Sequence, residues 1–433
     1  MNRTHGAKRV VRGLWLLAVT LLFGVVAAKA DAVLEWNEIA INTAVANGQN
    51  PFAQARLAAI VQVAVFEAVN SITGEYRPYL GTIVAPRGAS VDAAAIQAAY
   101  HVLHATFPGD ATLDAERASS LAAIPDGTAK NDGIATGDAA AAAMITLRAN
   151  DGSSPPQFKV PGPAAPGVYQ ATPSCPIVGG VAVGTLYQWQ FVKPFAIKSA
   201  SDYLLDPPPE LSSNLYAWAY NEVKTIGSAS ANSTQRPQDR ANVVLLYAAT
   251  SPTMAFNQVA RQVAEQQRRR LPDNARALAL LNMAISDSFV ASFYNKYHYN
   301  WWRPETAIHA GATDGNPKTE GDPSWVPFIP APCFPGYPSN HGTGSNAGAE
   351  VLRRIYGEAG HWMTVSNPAL PDIVLEYTSF TQITDDISDA RVYGGIHFRT
   401  DQFAGAELGR AVATEVYKNN LRPARGHGWW DLE

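Results

Sequence analysis

The sequence predicts an all-α protein, built from helical bundles packed together with long irregular loops between some of the helices. Apolar residues recur at intervals of three and four over much of the chain, and strand-like alternation is scarce. Proline and glycine cluster in stretches that no regular element would cross. The chain has 433 residues, enough for a large core; 47% of it is hydrophobic and 16% charged, with a formal net charge of -4. That balance excludes a disordered chain and offers no basic surface for nucleic acid, leaving a small molecule as the expected partner.

Residues 1–30 read as a signal peptide. Arg3, Lys8, Arg9 and Arg12 precede an apolar run from Leu14 to Ala28, and Ala28-Lys29-Ala30 has the small-x-small form of a cleavage site. The mature chain would start near Asp31 and be exported, periplasmic or extracellular, with no later stretch expected to span a membrane. Residues 31–150 read as an N-terminal helical region. Leu57, Ile60, Val61, Ala64, Val65, Ala68 and Val69 mark one face of a helix over Arg56 to Asn70. Val91 to Phe107 keeps the same period and stops at Pro108-Gly109, and alanine-rich Gly137 to Arg148 is a third helix. Residues 151–208 carry Pro155-Pro156, Pro161-Gly162-Pro163, Pro166-Gly167 and Pro207-Pro208-Pro209, which predict a long ordered loop draped over helices.

Helices resume in a C-terminal region, residues 209–433: Glu210 to Thr225, Arg240 to Ala249, Met254 to Arg270, and a long segment from Asp273 toward Trp302. Gly311 to Tyr337 is a second irregular stretch. Within it, Asp314 to Glu320 has the look of a calcium loop, but Thr319 stands where that loop needs glycine, so a plain turn is expected. Cys175 and Cys333 either pair or remain thiols; the sequence leaves both open. Neither Cys-x-x-Cys nor His-Glu-x-x-His occurs, and His101 and His104 lack a third partner, which argues against a zinc site.

Three segments of the last third carry the chemistry. In Lys296 to Pro304, Lys296 and Arg303 are seven apart, close to two helical turns, so both cations are expected on one helix face before Pro304 ends or kinks it. Paired cations suit an anion with several oxygens, and the guanidinium adds a fork of donors. Pro338-Ser339-Asn340-His341-Gly342 reads as a turn entering a helix, whose free backbone N–H groups and Ser339 hydroxyl would face the same anion, with His341 placed to move protons. Arg391 adds a third cation, and His397 and Asp401, four apart, face each other if helical, so that the carboxylate fixes the ring tautomer. Each segment alone is a weak signal; the ordered set is specific. Trp301 and Trp302, beside the expected kink, are read as core packing, and His298 as an ordinary solvent or core histidine.

Taken together, the segments resemble the vanadium-dependent haloperoxidases and the wider type 2 phosphatidic acid phosphatase superfamily, with its Lys-x6-Arg-Pro, Pro-Ser-Gly-His and Ser-Arg-x5-His-x3-Asp patterns. The resemblance implies a vanadium chloroperoxidase-like fold. It also implies Lys296, Arg303, Ser339, Asn340 (through its backbone N–H) and Arg391 as oxyanion donors, His341 as acid-base group, and His397 as the residue bonded to vanadium or, in a phosphatase, the nucleophile. Lys296 would also polarise the bound oxidant, with Asp401 behind His397. Two departures stand out: Asn340 replaces the motif's glycine, and Ala390 replaces the serine before Arg391, with Ser388 nearby. The implied reaction oxidises halide with hydrogen peroxide to hypohalous acid, using vanadate and no haem, with a small organic molecule as a further acceptor. An exported acid phosphatase and a non-catalytic oxyanion binder are the alternatives. The long stretch ahead of the motifs favours the peroxidase. It is similar to bacterial haloperoxidase-like proteins at Arg56 to Asn70, Tyr76-Arg77-Pro78-Tyr79, Pro194-Phe195, Pro207 to Glu210 and Glu222-Val-Lys224. Phe334, five residues before Ser339, matches the aromatic of the family's chloroperoxidases.

Overall fold

The computed structural model describes residues 31–424; the signal peptide expected over residues 1–30 lies outside them. Thirteen α-helices are present among the described residues. Helices α1 (Ala32–Ala46), α2 (Pro51–Thr73), α3 (Val91–Thr106), α4 (Thr112–Ala122) and α5 (Thr128–Arg148) make up the N-terminal region. Then follow α6 (Asn214–Ile226), α7 (Gln238–Ala249), α8 (Pro252–Gln266), α9 (Leu271–Tyr299) and α10 (Pro304–His309). The last helices are α11 (Asn340–Tyr356), α12 (Phe380–Tyr393) and α13 (Arg399–Asn419). Strands are confined to two antiparallel hairpins, β1 (Ile177–Val178) with β2 (Val181–Ala182) and β3 (Ala359–Ser366) with β4 (Val374–Ser379). The all-α expectation holds.

Local chemistry sets the helix ends. Asp31 caps α1 by accepting from the Val33 and Leu34 N–H groups, and Asn50 caps α2 in the same way before Pro51 at the first helical position. Helix α2 ends on Gly74, left-handed at φ 68°. Helix α5 begins nine residues before the predicted Gly137. Gly137 is not a helix start but a crossing point, where a Cβ would lie 2.5 Å from the Ala94 carbonyl oxygen of α3. Helix α12 and hairpin β3–β4 were not foreseen; α12 opens with a capping box between Ser379 and Gln382.

Helix α9 is the axis of the fold, packing against α2, α11 and α13. Both α2 and α9 are long and apolar enough to cross a membrane, contrary to the expectation that no later stretch reaches that length. Their apolar residues are turned into the core instead, with Phe66, Phe289 and Phe293 at 1% exposure or less. The proline-rich stretch 151–208 is held by its short hairpin β1–β2, by a Lys159–Gly184 bridge and by side chains of the helices beneath. Asp287 of α9 accepts the N–H groups of Phe195, Ala196 and Ile197 at 2.6, 2.7 and 3.0 Å, and Arg148 donates to the Lys193 and Pro194 carbonyls. Cys175 and Cys333 form a disulfide, tying this stretch to the second irregular segment. The Asp314–Glu320 turn is closed on itself, the Asp314 carboxylate accepting from the Asn316 N–H and the Thr319 hydroxyl, so it is the plain turn expected.

Candidate active site

The cage is assembled by helix ends. Helix α9 stops at Tyr299 because Asn300 turns left-handed at φ 49°, and Arg303 sits in extended backbone as the N-cap of α10. Lys296 and Arg303 therefore do not share one helix face, and the seven-residue periodicity argument is corrected. They converge because the intervening turn is pinned by other backbone: Tyr169 N–H to the Asn300 carbonyl at 2.8 Å, Trp302 N–H to Gly167 at 3.0 Å and Gly336 N–H to Trp301 at 2.8 Å. Trp301 and Trp302 pack with Tyr216, Tyr220 and Phe398 in a second core cluster, as read from the sequence. His298 is exposed. His101 pairs with Asp138, and no group of three or more metal-binding side chains occurs among the described residues.

Ser339 is the N-cap of α11, its hydroxyl oxygen accepting from the Gly342 N–H at 3.2 Å, which leaves the hydroxyl proton free to donate. Its own N–H donates to the Asp401 carbonyl at 2.9 Å, locking the start of α11 to the start of α13. His397 lies just before α13, with Phe398 as N-cap, so the His397–Asp401 pair is not an i, i+4 contact within a helix as expected. Asp401, in the first turn, reaches back: its Oδ2 accepts from His397 Nδ1 at 2.9 Å and from the Phe398 N–H at 3.2 Å. Ala390 is buried, and the nearby Ser388 accepts from Arg399 instead of standing in for the missing serine.

Donor logic fixes the state of His397. Arg303 Nη1 lies 2.9 Å from His397 Nε2, and a guanidinium can only donate. Nε2 must accept, so the ring proton is on Nδ1 and is given to Asp401. The imidazole is neutral, with its lone pair aimed at the cations. Burial, then Arg303, Lys296 and Arg391, push the His397 pKa well below its ordinary value, and burial followed by Arg391 does the same to His341. Burial lowers Arg303 to about 10 and Arg391 to about 9. It also raises Asp401, against the pull of Lys296 and Arg303.

Lys296 reaches the site in an unexpected way. Its Nζ donates to the carbonyls of Pro335, Gly336 and Pro338 at 2.8, 2.9 and 2.6 Å, which employs all three ammonium protons beneath the floor. Burial and then Arg303 depress its pKa, while the three acceptors favour the charged form; geometry with three acceptors requires the ammonium. Its charge is present without a free donor. By contrast, Arg303 Nη2 and Arg391 Nε are buried and unpartnered, while Arg303 Nε and Nη1 are held by the Phe334 and Ile396 carbonyls and Arg391 Nη1 by that of Tyr247.

Asn340 holds more than its backbone. Its Oδ1 accepts from the Ser292 hydroxyl of α9 at 2.6 Å, and its Nδ2 is buried with no partner. Ser292 lies one helical turn before Lys296, the one sequence signal that was available for this contact. Asn340, His341, Arg391 and His397 line the floor of a cavity of about 400 Å³. Lys296, Arg303, Ser339 and Asp401 lie behind it. Phe334 forms part of the wall, with Lys296 Nζ and the Arg303 guanidinium 5.2 and 5.1 Å from its ring centre. Phe52 and Leu186 also line it and were not foreseen. The donor set fits an oxyanion: cations, orphaned N–H groups and the His397 lone pair, with Oδ2 of the cage's one carboxylate, Asp401, committed to His397 and Phe398 and only its Oδ1 unpartnered.

Residues 276–426, which contain every cage residue, match the VCPO second helical-bundle domain. These residues belong to the vanadium haloperoxidase family. The vanadium chloroperoxidase of Curvularia inaequalis is 30% identical over 196 residues, 37% of this chain and 31% of that protein, so the match spans about a third of the curated relative. Among solved structures, a bacterial vanadium-dependent iodoperoxidase superposes with a TM-score of 0.74 at 21% identity, covering 90% of this chain and 97% of that one. An apo-type bacterial vanadium-dependent chloroperoxidase gives 0.68 at 16% identity, covering 85% of this chain and 94% of that one. The vanadium haloperoxidase fold therefore extends across nearly all of the described residues.

Proposed function

We propose that this protein is an exported, vanadate-dependent haloperoxidase that oxidises halide with hydrogen peroxide to hypohalous acid. The observation that supports this most is the unspent donor set in and behind the floor: Arg391 Nε, Asn340 Nδ2 and Arg303 Nη2, all buried without partners around a neutral His397. Bound vanadate would supply a Lewis acid that activates peroxide toward halide without changing its own oxidation state. The chain's residues do the rest. His397 Nε2 offers the lone pair that holds vanadium, and Asp401 keeps the ring proton on the far nitrogen. Arg303, Arg391, the Ser339 hydroxyl and the first N–H groups of α11 hold oxygens. His341, kept neutral by burial and Arg391, serves as base at the cavity face and returns the proton as acid. The basic and apolar N-terminal segment and the Cys175–Cys333 disulfide support export to an oxidising compartment.

The test is to load purified protein with vanadate and assay peroxide-dependent bromination of a phenol reporter beside hydrolysis of a phosphomonoester. Bromination is expected. Hydrolysis alone would overturn this reading in favour of the phosphatase, and activity in neither assay would leave an oxyanion binder. His397→Ala is expected to abolish the activity; its survival would refute the site.

A further inference from the structure

Hairpin β3–β4 lies outside every motif and lines no part of the cavity above the cage, yet it grips the helix that faces the cage. Helix α7 ends at Ala249, and the carbonyls of its last turn have no partner within the helix. One of them, that of Tyr247, accepts from Arg391 Nη1 at 3.2 Å and faces His341, whose charged form it favours. The negative end of the helix dipole acts on both groups in the same sense. Where that carbonyl stands therefore decides where the Arg391 fork points, and Arg391 Nε is one of the unspent donors.

Two residues of the hairpin fix the end of α7. Tyr377 of β4 donates its hydroxyl proton to Asp386 Oδ2 at 2.9 Å, because a carboxylate can only accept. The Tyr377 oxygen is left to accept the Tyr247 hydroxyl, also at 2.9 Å. Asp386 lies on α12 ahead of Arg391, and its Oδ1 accepts from Arg240 Nη1 of α7 at 2.8 Å, so the chain of bonds starts and ends on α7. Asn367, which follows β3, donates from Nδ2 to the Ala249 carbonyl and to the Thr250 hydroxyl oxygen at 3.0 Å each. Tyr247, Tyr377 and Asn367 are all buried. The hairpin is itself firmly seated: Gln258, Gln262 and Gln266, one turn apart on α8, accept the N–H groups of Ser366, Thr364 and Trp362 along the edge of β3.

We infer that hairpin β3–β4 is a positioning element of the oxyanion site, with Tyr377 and Asn367 holding the end of α7 so that the Tyr247 carbonyl aims Arg391 at the anion. Two buried phenols in contact set the spacing between β4 and α7, and neither can withdraw without leaving a buried hydroxyl unpaired. The inference rests on the cage as an oxyanion site and not on the reaction carried out there.

Inorganic phosphate, titrated calorimetrically into the purified protein without peroxide or halide, tests this independently of turnover. Tyr377→Phe is expected to weaken phosphate at least roughly fivefold, since outer partners of such sites are worth ~10–100-fold. Asn367→Ala, which releases the other hold, is expected to act in the same direction. Tyr377→Phe also strands the Tyr247 hydroxyl and lowers the melting temperature. Combining it with Tyr247→Phe removes the stranded donor, so the double variant is expected to recover most of the melting temperature while phosphate stays weak. Recovery of affinity together with melting temperature would mean that the phenols only stabilise the fold, and would overturn the inference. Unchanged affinity in both Tyr377→Phe and Asn367→Ala would overturn it too. Should Tyr377→Phe not fold, the double variant and Asn367→Ala decide the matter in its place. An unmodified protein that binds no phosphate would instead refute the cage, and the inference with it.

Discussion

At the scale of single residues, the site depends on which nitrogen carries a proton. Arg303 fixes His397 Nε2 as an acceptor, and Asp401 takes the proton on Nδ1. Asp401→Asn keeps the shape, yet an amide can present its N–H to Nδ1 and turn the ring proton onto Nε2, where it faces a guanidinium. The expected result is a 10- to 100-fold loss of vanadate affinity, in keeping with the ~10–100-fold effects of such outer partners, with little change in melting temperature. Equilibrium titration with vanadate measures it; unchanged affinity would refute the tautomer. Asn340 was read from the sequence only as a backbone donor in place of glycine. The structure shows an amide held by Ser292 with Nδ2 unspent in the cavity floor. A hydrogen bond to a charged group contributes ~1.5–3 kcal/mol, so Asn340→Gly is expected to weaken phosphate binding by roughly tenfold or more. Equal or tighter binding by the glycine variant, read by the same titration, would show that the amide points elsewhere.

At the scale of elements, the residues of the cage were legible because their types and order are dictated by chemistry, while the geometry joining them was not. A seven-residue spacing was read as one helix face, but Asn300 ends α9 and the cations meet through a turn held by Gly167 and Tyr169, more than a hundred residues earlier. No local periodicity can report such a contact. The same holds for the pairing of α11 with α13, which brings Ser339 and Asp401 together. Gly405 and Gly409 make it possible: a Cβ at 405 would lie 2.7 Å from the Ser339 carbonyl oxygen and one at 409 would lie 2.2 Å from that of Thr343. Forcing a methyl into such a contact costs ~1–3 kcal/mol. Gly409→Ala is expected to lower stability by about that amount in urea unfolding. Gly405→Ala should do the same and weaken vanadate binding in addition, since its methyl pushes on the N-cap of α11. If the two variants proved equal in vanadate affinity, the crossing would not position the site.

At the scale of the whole molecule, the floor comes from the C-terminal family domain and the walls come partly from elsewhere. Phe52 stands at the start of α2 and Leu186 in the proline-rich stretch, so the first 250 residues shape what can approach the cage. The floor was readable from motifs, and Phe334 with it; the other wall residues are ordinary apolar ones whose role appears only on folding. The fold also stores an imbalance of charge. Lys296, Arg303 and Arg391 are at most 4% exposed, against Asp401, the one carboxylate of the cage. An oxyanion relieves that imbalance, and saturation at a hundredfold excess over the dissociation constant would stabilise the protein by ~2.7 kcal/mol. The sign of the pH effect follows from the same burial. Without an anion, the His341 and His397 pKa values lie below their ordinary positions. A bound dianion raises both, so binding takes up protons and must tighten as pH falls, with the two histidines acting below their ordinary 6.5. Sulfate is the clean probe because it remains a dianion throughout. Its affinity is expected to rise by up to about tenfold per pH unit for each proton taken up, on going from about pH 7 to pH 5. His341→Gln should flatten the curve by removing one of the groups. A flat or inverted profile in the unmodified protein, measured calorimetrically at constant ionic strength, would mean that the cage cations are balanced by something other than the anion they surround.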